Sequence, residues 1–444
     1  MKRLIITGLI LCSLQGYSQS LRRWTLEDCI RHAIENNIDI KMMANRVESA
    51  EIDLHTSRSA RLPNLSAGAS QNLDFGRSPS VDGTLLAQNS ANSSGYMTTQ
   101  IPVFAGFRLS NDIKAKEANL GASLENLEKA KDDLSLNVAS FFLQALYYTE
   151  MEAVASLQVE LTTQQLERTG ILFEQGRIAE SQLYDMRAQL GRDNVTLVDA
   201  RNNTIVALLN LAQLLELNYS DGFAIAEPTI EDVSMYAGII TVSSPERVFA
   251  RAVEIRPAIR AQEFAVMASE HNLAVAKAYR LPTLTMSAQY SNGYYHFFRE
   301  GVVNASFVDQ VKRNGRQSIG MSLTIPIFNR NQTNNAIRSS RVAMNNSQLA
   351  LEGVKKALYN EIQQAYINAS ASLDRYNSST SSAESSKIAF DYAEKRYAEG
   401  MSTVLEYEQA KTNYMQSLSS QLQARYDLVF RCKILDFYNG ADLF

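Results

Sequence analysis

The sequence lacks most of the features that mark an enzyme. Its 444 residues include four histidines and three cysteines, and they contain no GxGxxG, GxSxG, HExxH, CxxC or Walker motif. Each motif supplies groups that hold a nucleotide, a metal or a reacting bond, so their absence argues against catalysis and leaves no cofactor or metal to expect. His32 and Glu35 are three residues apart, but a plain helix surface explains them better than a metal site.

The sequence also lacks an internal run of about 18 apolar residues, the minimum for a membrane-spanning helix. A shorter apolar run follows Lys2-Arg3 at the N-terminus and ends in small residues. This pattern predicts a signal peptide over residues 1–18 and a mature chain from about Gln19. The alternatives are a buried N-terminal helix and a lipoprotein signal at Cys12, which the bulky neighbour Leu11 disfavours.

Charge and cysteine content narrow the class further. The formal net charge is −4, and loss of the two basic residues of the signal peptide makes it more negative. Nucleic-acid binding is therefore disfavoured, since it requires a basic surface. Cys29 and Cys432 remain in the mature chain. An oxidising compartment permits a disulfide between them, but two cysteines so distant in sequence are better explained as buried thiols.

The feature that stands out is an internal duplication. Segments 173–176 (FEQG) and 397–400 (YAEG) are 224 residues apart, as are 101–104 (IPVF) and 325–328 (IPIF). Segments 61–65 (RLPNL) and 280–284 (RLPTL) are 219 apart, so one five-residue insertion explains the difference. Such self-similarity predicts two copies of one structural unit. We expect them over 19–217 and 246–444, with a linker at 218–245 that Gly and Pro residues interrupt.

Seven-residue repeats of apolar residues predict the two longest helices. Apolar residues recur every seven positions in each copy, which indicates a coiled-coil seam: Ile113, Leu120, Leu127, Leu134, Phe141 and Tyr148, then Ile337, Met344, Leu351, Leu358 and Ala365. No proline interrupts 108–172 or 332–396, so each segment is expected to form one helix roughly 100 Å long. Four shorter helices are predicted at about 24–60, 180–216, 246–280 and 403–438.

Alternating polar and apolar residues predict four strands, at 66–75, 94–104, 283–291 and 318–327. Their length of about ten residues suits strands that cross a bilayer, although a half-buried soluble hairpin also alternates. The connections 76–94 and 292–317 are predicted to be solvated loops. Aromatic residues near the strands fit an interfacial girdle or ordinary strand propensity: Phe75, Tyr96, Phe104, Tyr290, Tyr294, Tyr295, Phe297, Phe298 and Phe328.

The order of these elements resembles that of the TolC-like outer-membrane efflux proteins. The two LPxL motifs, the two IPxF motifs and the tip glycines Gly176 and Gly400 carry this resemblance. The resemblance covers essentially the whole mature chain. It implies a mainly α-helical homotrimer in which four strands per chain form a 12-stranded β-barrel in the outer membrane of a Gram-negative cell. The long coiled-coil helices would form a periplasmic α-barrel. Four strands cannot close a barrel, so physics independently requires several chains, without choosing three.

The resemblance also implies sites at the helix tips. An acidic residue six positions after the second tip glycine lines the entrance in relatives, and here it is Glu406. Gln409 stands where relatives often carry a second acid, so a double acidic ring is not implied. Further candidates for the entrance are Glu408, Glu180 and Asp185. Candidates for contact with a periplasmic adaptor are Gly176, Arg177, Gly400, Met401 and Ser402. A solvated helix face and ordinary helix-ending glycines are the simpler alternatives.

The sequence therefore predicts a passive outer-membrane exit duct of a tripartite efflux pump or type I secretion system. Its expected partners are two further copies of the chain, outer-membrane lipid, a periplasmic adaptor and an inner-membrane transporter of the RND or ABC type. A soluble periplasmic coiled-coil adaptor or scaffold is the alternative. The four alternating strands, each near a proline, disfavour that alternative.

Overall fold

The computed structural model describes residues 23–79, 83–87, 89–218, 222–226, 244–299 and 301–441. The predicted signal peptide and most of the predicted linker lie outside these ranges. The described chain divides into two compact units. The tip unit comprises the described parts of Met1–Ala44, Leu127–Pro257 and Lys355–Phe444, and the sheet unit comprises Asn45–Asn126 and Ala258–Val354. Each unit therefore takes segments from both sequence repeats.

Eight of the described helices correspond in pairs between the two repeats, and α7 is the described helix without a counterpart. In chain order they are α1 (Leu26–Asn36), α2 (Ile38–Ser59), α3 (Arg108–Glu174), α4 (Glu180–Leu214), α5 (Pro245–Ile255), α6 (Pro257–Ala278), α7 (Phe307–Arg313), α8 (Gln332–Ala398) and α9 (Val404–Tyr438). Helices α3 and α8 each have 67 residues, and α4 and α9 each have 35. The predicted long helices are confirmed, and every heptad residue named above is buried or half-buried. Within the described residues, no helix is long and apolar enough to cross a membrane.

The prediction of unbroken helices at 24–60 and 246–280 is wrong, because each has a break at the equivalent residue of its repeat. Asn37 takes ψ 135° between α1 and α2, and its Oδ1 accepts a hydrogen bond of 2.9 Å from the Asp39 amide. Arg256 takes ψ 127° between α5 and α6, as expected for a residue that precedes a proline. Its buried guanidinium lies 3.5 Å from the centre of the Phe437 ring and 3.3 Å from Asp132.

The described strands are β1 (Arg23–Trp24), β2 (Asn64–Asp74), β3 (Arg77–Pro79), β4 (Leu85–Ala87), β5 (Ser90–Phe104), β6 (Ala224–Ile225), β7 (Thr283–Phe297) and β8 (Arg316–Thr324). The sheet unit contains an antiparallel sheet of order β2-β5-β7-β8, so β2 and β8 are its edges. The four predicted strands are present. The predicted loops were too long, since β5 and β7 extend into them and α7 forms inside the second.

The two faces of this sheet differ sharply in polarity. Register places most of the aliphatic residues on one face, which also carries Thr99 and Gln317: Leu65, Ala67, Met97, Ile101, Leu284, Met286, Ala288, Ile319, Met321 and Leu323. The other face carries Ser66, Ser70, Thr98, Gln100, Thr285, Ser287, Gln289, Ser318, Ser322 and Thr324. In the single chain Ile319 is 75% exposed and Met321 64% exposed. Among the described residues, α7 contacts one end of this apolar face, and most of the face lacks a covering layer.

The main core of the tip unit surrounds Cys29, Leu134, Val138, Phe142 and Leu146. Trp24 packs against this core from β1, which pairs in parallel with β6, a contact that the sequence did not predict. Cys432 lies in a separate cluster with Ala369 and Leu428. Cys29 and Cys432 are buried thiols rather than a disulfide, as the sequence favoured. Burial raises the pKa of each thiol to about 12.

Candidate functional site at the helix tips

The tip turns after α3 and α8 have the same backbone geometry. Gly176 and Gly400 take φ values of 68° and 74°. The Arg177 amide donates to the Leu172 carbonyl at 2.9 Å, and the Met401 amide to Arg396 at 2.8 Å. Together with the bonds from the glycine amides three residues back, these form Schellman motifs, which need a residue in the left-handed region. A Cβ on either glycine would meet no atom within 4 Å, so backbone conformation alone selects glycine.

The helices that follow the two turns begin differently. Thr403 caps α9 by accepting a 3.2 Å hydrogen bond from the Glu406 amide, whereas Ala179, before α4, has no side-chain cap. A carboxylate in the first turn also suits the positive end of the helix dipole. Glu406 Oε2 lies 3.7 Å from the Arg396 guanidinium, and both side chains are exposed. Glu406 is therefore fixed at the start of α9 while it remains open to solvent.

A further contact braces the second turn against the first long helix. The Arg168 guanidinium on α3 donates to the carbonyl of Ala398, the last residue of α8. Carbonyls at a helix end lack partners within the helix, so this bond satisfies one of them with a charged donor. Arg396 adds a 3.3 Å hydrogen bond to the Met401 carbonyl. The second turn thus has two arginine donors on its backbone.

The predicted entrance residues fall into three settings. Glu406 and Gln409 line one hollow of about 510 Å³ with Ser386, Ala389, Leu405, Ala410 and Asn413. Glu180 and Asp185 are exposed on α4, and none of the described hydrogen bonds or ion pairs joins them to Glu406. The side chain of Glu408 is only 14% exposed, and its Oε2 lies 2.8 Å from the Lys411 ammonium. Burial raises the pKa of Glu408, and Lys411 opposes this rise.

Among the predicted docking residues, Gly176, Arg177, Gly400 and Met401 are exposed, and Ser402 is half-buried. The exposed side chains of Arg177 and Met401 flank the glycines. The Oγ of Ser402 is buried without a hydrogen-bond partner among the described residues.

A buried polar cluster that the sequence did not reveal lies behind these residues. We call it the Lys411 cluster, and it consists of Lys411 and Glu408 on α9, Asp193 and Gln189 on α4, and Thr162 and Gln158 on α3. Lys411 is 0% exposed and Asp193 2% exposed. The Lys411 ammonium donates to Thr162 Oγ1 at 2.8 Å and lies 3.3 Å from Asp193 Oδ2. The buried ion pair therefore joins α9 to α4, and the hydrogen bond to Thr162 adds α3.

Neutral donors complete the coordination of the Asp193 carboxylate. Thr162 donates at 2.5 Å, and the amides of Gln158 and Gln189 donate at 2.8 Å each. We call α3 with α4 the first helical hairpin and α8 with α9 the second. In the second hairpin, Ser386 and Ser417 occupy the positions equivalent to Thr162 and Asp193. Their hydroxyls share one 3.0 Å hydrogen bond. Asp193 and Lys411 occur in polar stretches of long helices, so sequence patterning alone did not distinguish them.

Known proteins share this architecture. A family model described as Outer membrane efflux protein matches residues 29–216 and 248–435. Outer membrane protein TolC of Escherichia coli (strain K12) is 22% identical over 432 residues, which cover 96% of this chain and 84% of the relative. Pyoverdine export outer membrane protein OpmQ of Pseudomonas putida is 25% identical over 417 residues, covering 90% and 83%. The solved structure of VceC from Vibrio cholerae gives a TM-score of 0.76 at 17% identity, covering 94% of this chain and 97% of that one.

The paired long helices and the two-faced sheet define the class as an outer-membrane channel protein. The chain belongs to the outer membrane efflux protein family, whose model covers well over half of its residues. Its location is the outer membrane, and its function is that of an exit duct for efflux. The family predicted from the sequence is thereby confirmed.

Proposed function

We propose that this chain acts as a homotrimeric, passive duct in a three-part export machine, together with a periplasmic adaptor and an inner-membrane transporter of the RND or ABC type. Three copies of the four-stranded sheet would form a 12-stranded barrel in outer-membrane lipid. The duct itself would perform no catalysis, so the transporter supplies the energy and selects most of the cargo. OpmQ, by its name, exports pyoverdine, which illustrates one cargo in this family.

The two-faced sheet carries this proposal. A closed barrel in lipid needs apolar residues outside, polar residues facing the lumen, and a partner for every edge strand. The sheet has one apolar face, one polar face and two edges, β2 and β8. Pairing β8 of one chain with β2 of the next would satisfy both edges. Four strands are too few to close alone, so the edges themselves favour an oligomer.

Aromatic residues support the same orientation. Phe104 and Phe107 pack edge to face, with ring centres 5.5 Å apart, where β5 leads into α3. Phe328 is 78% exposed just after β8, at the same end of the sheet. At the opposite end Tyr294 and His296 stack, and Phe298 packs on His296. Aromatic girdles at both ends of an apolar band are typical of outer-membrane barrels.

Single cysteines along β7 test the barrel. Cysteines at 284, 286, 288 and 290 should react with a lipid-restricted maleimide, and the matched controls at 283, 285, 287 and 289 should react only with an aqueous one. Uniform aqueous labelling of both sets would refute the barrel. It would favour the alternative, a soluble periplasmic adaptor, which would also remain in solution without detergent.

We further propose that the chain is a tandem duplication of 19–217 and 246–444, joined by 218–245. The bounds of α4 and α9, and of α3 and α8, differ by 224 residues at both ends. This correspondence matters for the entrance, because Asp185 is the first-repeat equivalent of Gln409, and Gln182 is the equivalent of Glu406. Each hairpin then carries one acid and one amide at the two equivalent positions.

An entrance lined by both hairpins would contain six carboxylates in a trimer, three from Glu406 and three from Asp185. Rings of carboxylates attract cations and repel anions. Asp185→Asn combined with Glu406→Gln should therefore reduce cation selectivity in planar bilayers more than either change alone. Equal effects of the single and double variants would place one of the two residues outside the conducting path. Glu180, and then the more buried Glu408, would be tested next.

We propose the tip turns as the docking surface for the adaptor. Gly176→Val with Gly400→Val should distort both Schellman turns, since a β-branched residue at positive φ is strongly disfavoured. We expect trimers in the outer membrane that no longer crosslink to the adaptor or support export. The matched control replaces both glycines with Asn, which tolerates the left-handed region, and it should dock. Normal export by the valine variant would place docking elsewhere.

A further inference from the structure

Helix α7 lies over the apolar face of the sheet, at the end where β7 extends past β8. The rings of Phe307 and Tyr294 meet edge to face, with centres 5.3 Å apart. The Asn292 amide donates to the Val311 carbonyl at 2.7 Å. Register puts Asn292 and Tyr294 on the same face as Met286 and Ala288. In the proposed barrel this is the lipid-facing side.

Three side-chain amides hold the segment against the free edge of β7. Asn304 exchanges two hydrogen bonds with the backbone of Phe297, and Gln310 exchanges two with Tyr295, at 2.8 to 2.9 Å. Asn314 donates to the Gly293 carbonyl at 2.6 Å. These amides satisfy alternate backbone groups that have no strand partner. The sheet edge therefore fixes this segment in addition to the contact of Phe307 with Tyr294.

A groove of about 520 Å³ remains between α7 and the sheet. This volume is within the usual range for ligand pockets. Its floor consists of small residues of β2 and β5, including Ala69, Ser93 and Gly95, and Phe307 and Val311 of α7 overhang it. The side-chain oxygen of Asn292, which lines the groove, is buried and accepts no hydrogen bond from the described residues. The groove is thus mainly apolar.

The surroundings of the groove identify the chemistry of its occupant. Val303 is 97% exposed and Val308 56% exposed, so the segment presents further apolar surface. Lys312 and Arg313 occupy the last turn of α7, and Arg316 begins β8. Between positions 298 and 316 the sequence contains four basic and two acidic residues. Apolar and basic residues together suit an anionic lipid at a membrane surface.

We propose that the groove binds one acyl chain of a phosphorylated glycolipid from the outer leaflet, with its phosphates near Lys312, Arg313 and Arg316. The site is continuous with the apolar face of the sheet, so a lipid can enter it sideways from the membrane. This inference rests on the proposed barrel, since it requires that face to meet lipid.

The test measures lipid that stays bound to trimers purified from the outer membrane and washed in detergent. Ala69→Leu fills the groove, and Ala67→Leu is the matched control, two residues away on the same exposed face of β2. Mass spectrometry should find the glycolipid on wild type and on Ala67→Leu. Retention by Ala69→Leu should fall by roughly tenfold or more, because each methylene that loses apolar contact weakens binding about fourfold.

A second pair of substitutions tests whether binding of the glycolipid requires the basic residues. Lys312→Ala with Arg313→Ala should lower retention of the phosphorylated glycolipid but leave retention of its dephosphorylated form unchanged. Phospholipid in place of glycolipid, no retained lipid, or equal loss in Ala67→Leu and Ala69→Leu would each overturn the inference. Failure of the barrel would differ from all of these, because the protein would then not be recovered as a detergent-extracted outer-membrane trimer.

Discussion

The Lys411 cluster predicts that one substitution behind the helix tips will destabilise the tip unit. Lys411→Met keeps most of the side-chain volume and removes the charge. Asp193, 2% exposed, would then be a buried carboxylate without its ion-pair partner, and Glu408 would lose the same partner. Removing one partner of a buried pair costs about 3–5 kcal/mol. Three neutral donors still hold Asp193, so we expect the lower end, about 3 kcal/mol.

The second hairpin suggests a second substitution that should restore the lost stability. There, two serines stand where the first hairpin has Thr162 and Asp193, and no cation is present in that pair. The double variant Lys411→Met with Asp193→Ser copies this arrangement and removes the Lys411–Asp193 pair. Glu408 also loses Lys411, but it is partly exposed and burial already favours its protonated form. Replacing both partners of a buried pair is often nearly neutral. The double variant should therefore regain most of the lost stability, to within about 1 kcal/mol of wild type.

The matched control is Arg187→Met, since Arg187 is the residue equivalent to Lys411 in the first repeat. Arg187 is exposed and lies over the Tyr184 ring at 5.4 Å. Its removal should change stability by no more than about 0.5 kcal/mol. Urea unfolding of detergent-solubilised protein, followed by far-UV circular dichroism, measures all three variants. A loss below about 1 kcal/mol for Lys411→Met, or no rescue by the double variant, would refute the argument.

The remaining predictions concern protonation, thiols and conduction. Burial raises the pKa of Glu408, so the folded protein keeps this proton to higher pH than the unfolded chain does. The stability that Glu408 contributes should therefore be lost as the pH rises above about 4.3, the unfolded pKa, and on through the folded pKa. Glu408→Gln should remove that slope in urea unfolding between about pH 4 and pH 8. Cys29 and Cys432, with thiol pKa values raised to about 12, should resist iodoacetamide at pH 8 until urea unfolds the chain; rapid native alkylation would contradict their burial. Glu406→Gln should lower cation selectivity in planar bilayers, and an unchanged reversal potential would remove it from the entrance.

Much of the helical framework could be predicted because both sequence repeats contain the same pattern of helices. The predicted ends of α3 and α8 are each within two residues of those in the structure. The tip glycines indicated these ends, because glycine readily takes the positive φ that ends a helix. The breaks at Asn37 and Arg256 were missed. Pro257 did carry a signal, since a proline disfavours helix at the residue before it. Asn37 gave a weaker one, because an asparagine that caps the next helix through the Asp39 amide can also occur inside a helix.

The strands show the limit of prediction from a local sequence pattern. β5 begins at Ser90, four residues before the predicted start, and β7 continues six residues past the predicted end. These extensions are rich in serine, asparagine and tyrosine, and they lack clear alternation. Their strand structure comes from pairing with each other, as in Ser93 with Tyr294. Non-local pairing of this kind is set by the partner strand, so a local pattern does not reveal it.

The functional residues follow a different logic from the fold. Duplication preserves backbone geometry, as the two Schellman turns and the equal helix lengths illustrate. Side chains at equivalent positions have diverged: Asp193 with Ser417, Lys411 with Arg187, Glu406 with Gln182, and Asp185 with Gln409. A charge kept in only one copy is not needed to build the shared fold, because the other copy folds without it. Such positions therefore either join the two hairpins, as the buried Asp193 does through its ion pair with Lys411, or act on what passes the tips, as we propose for the exposed carboxylates.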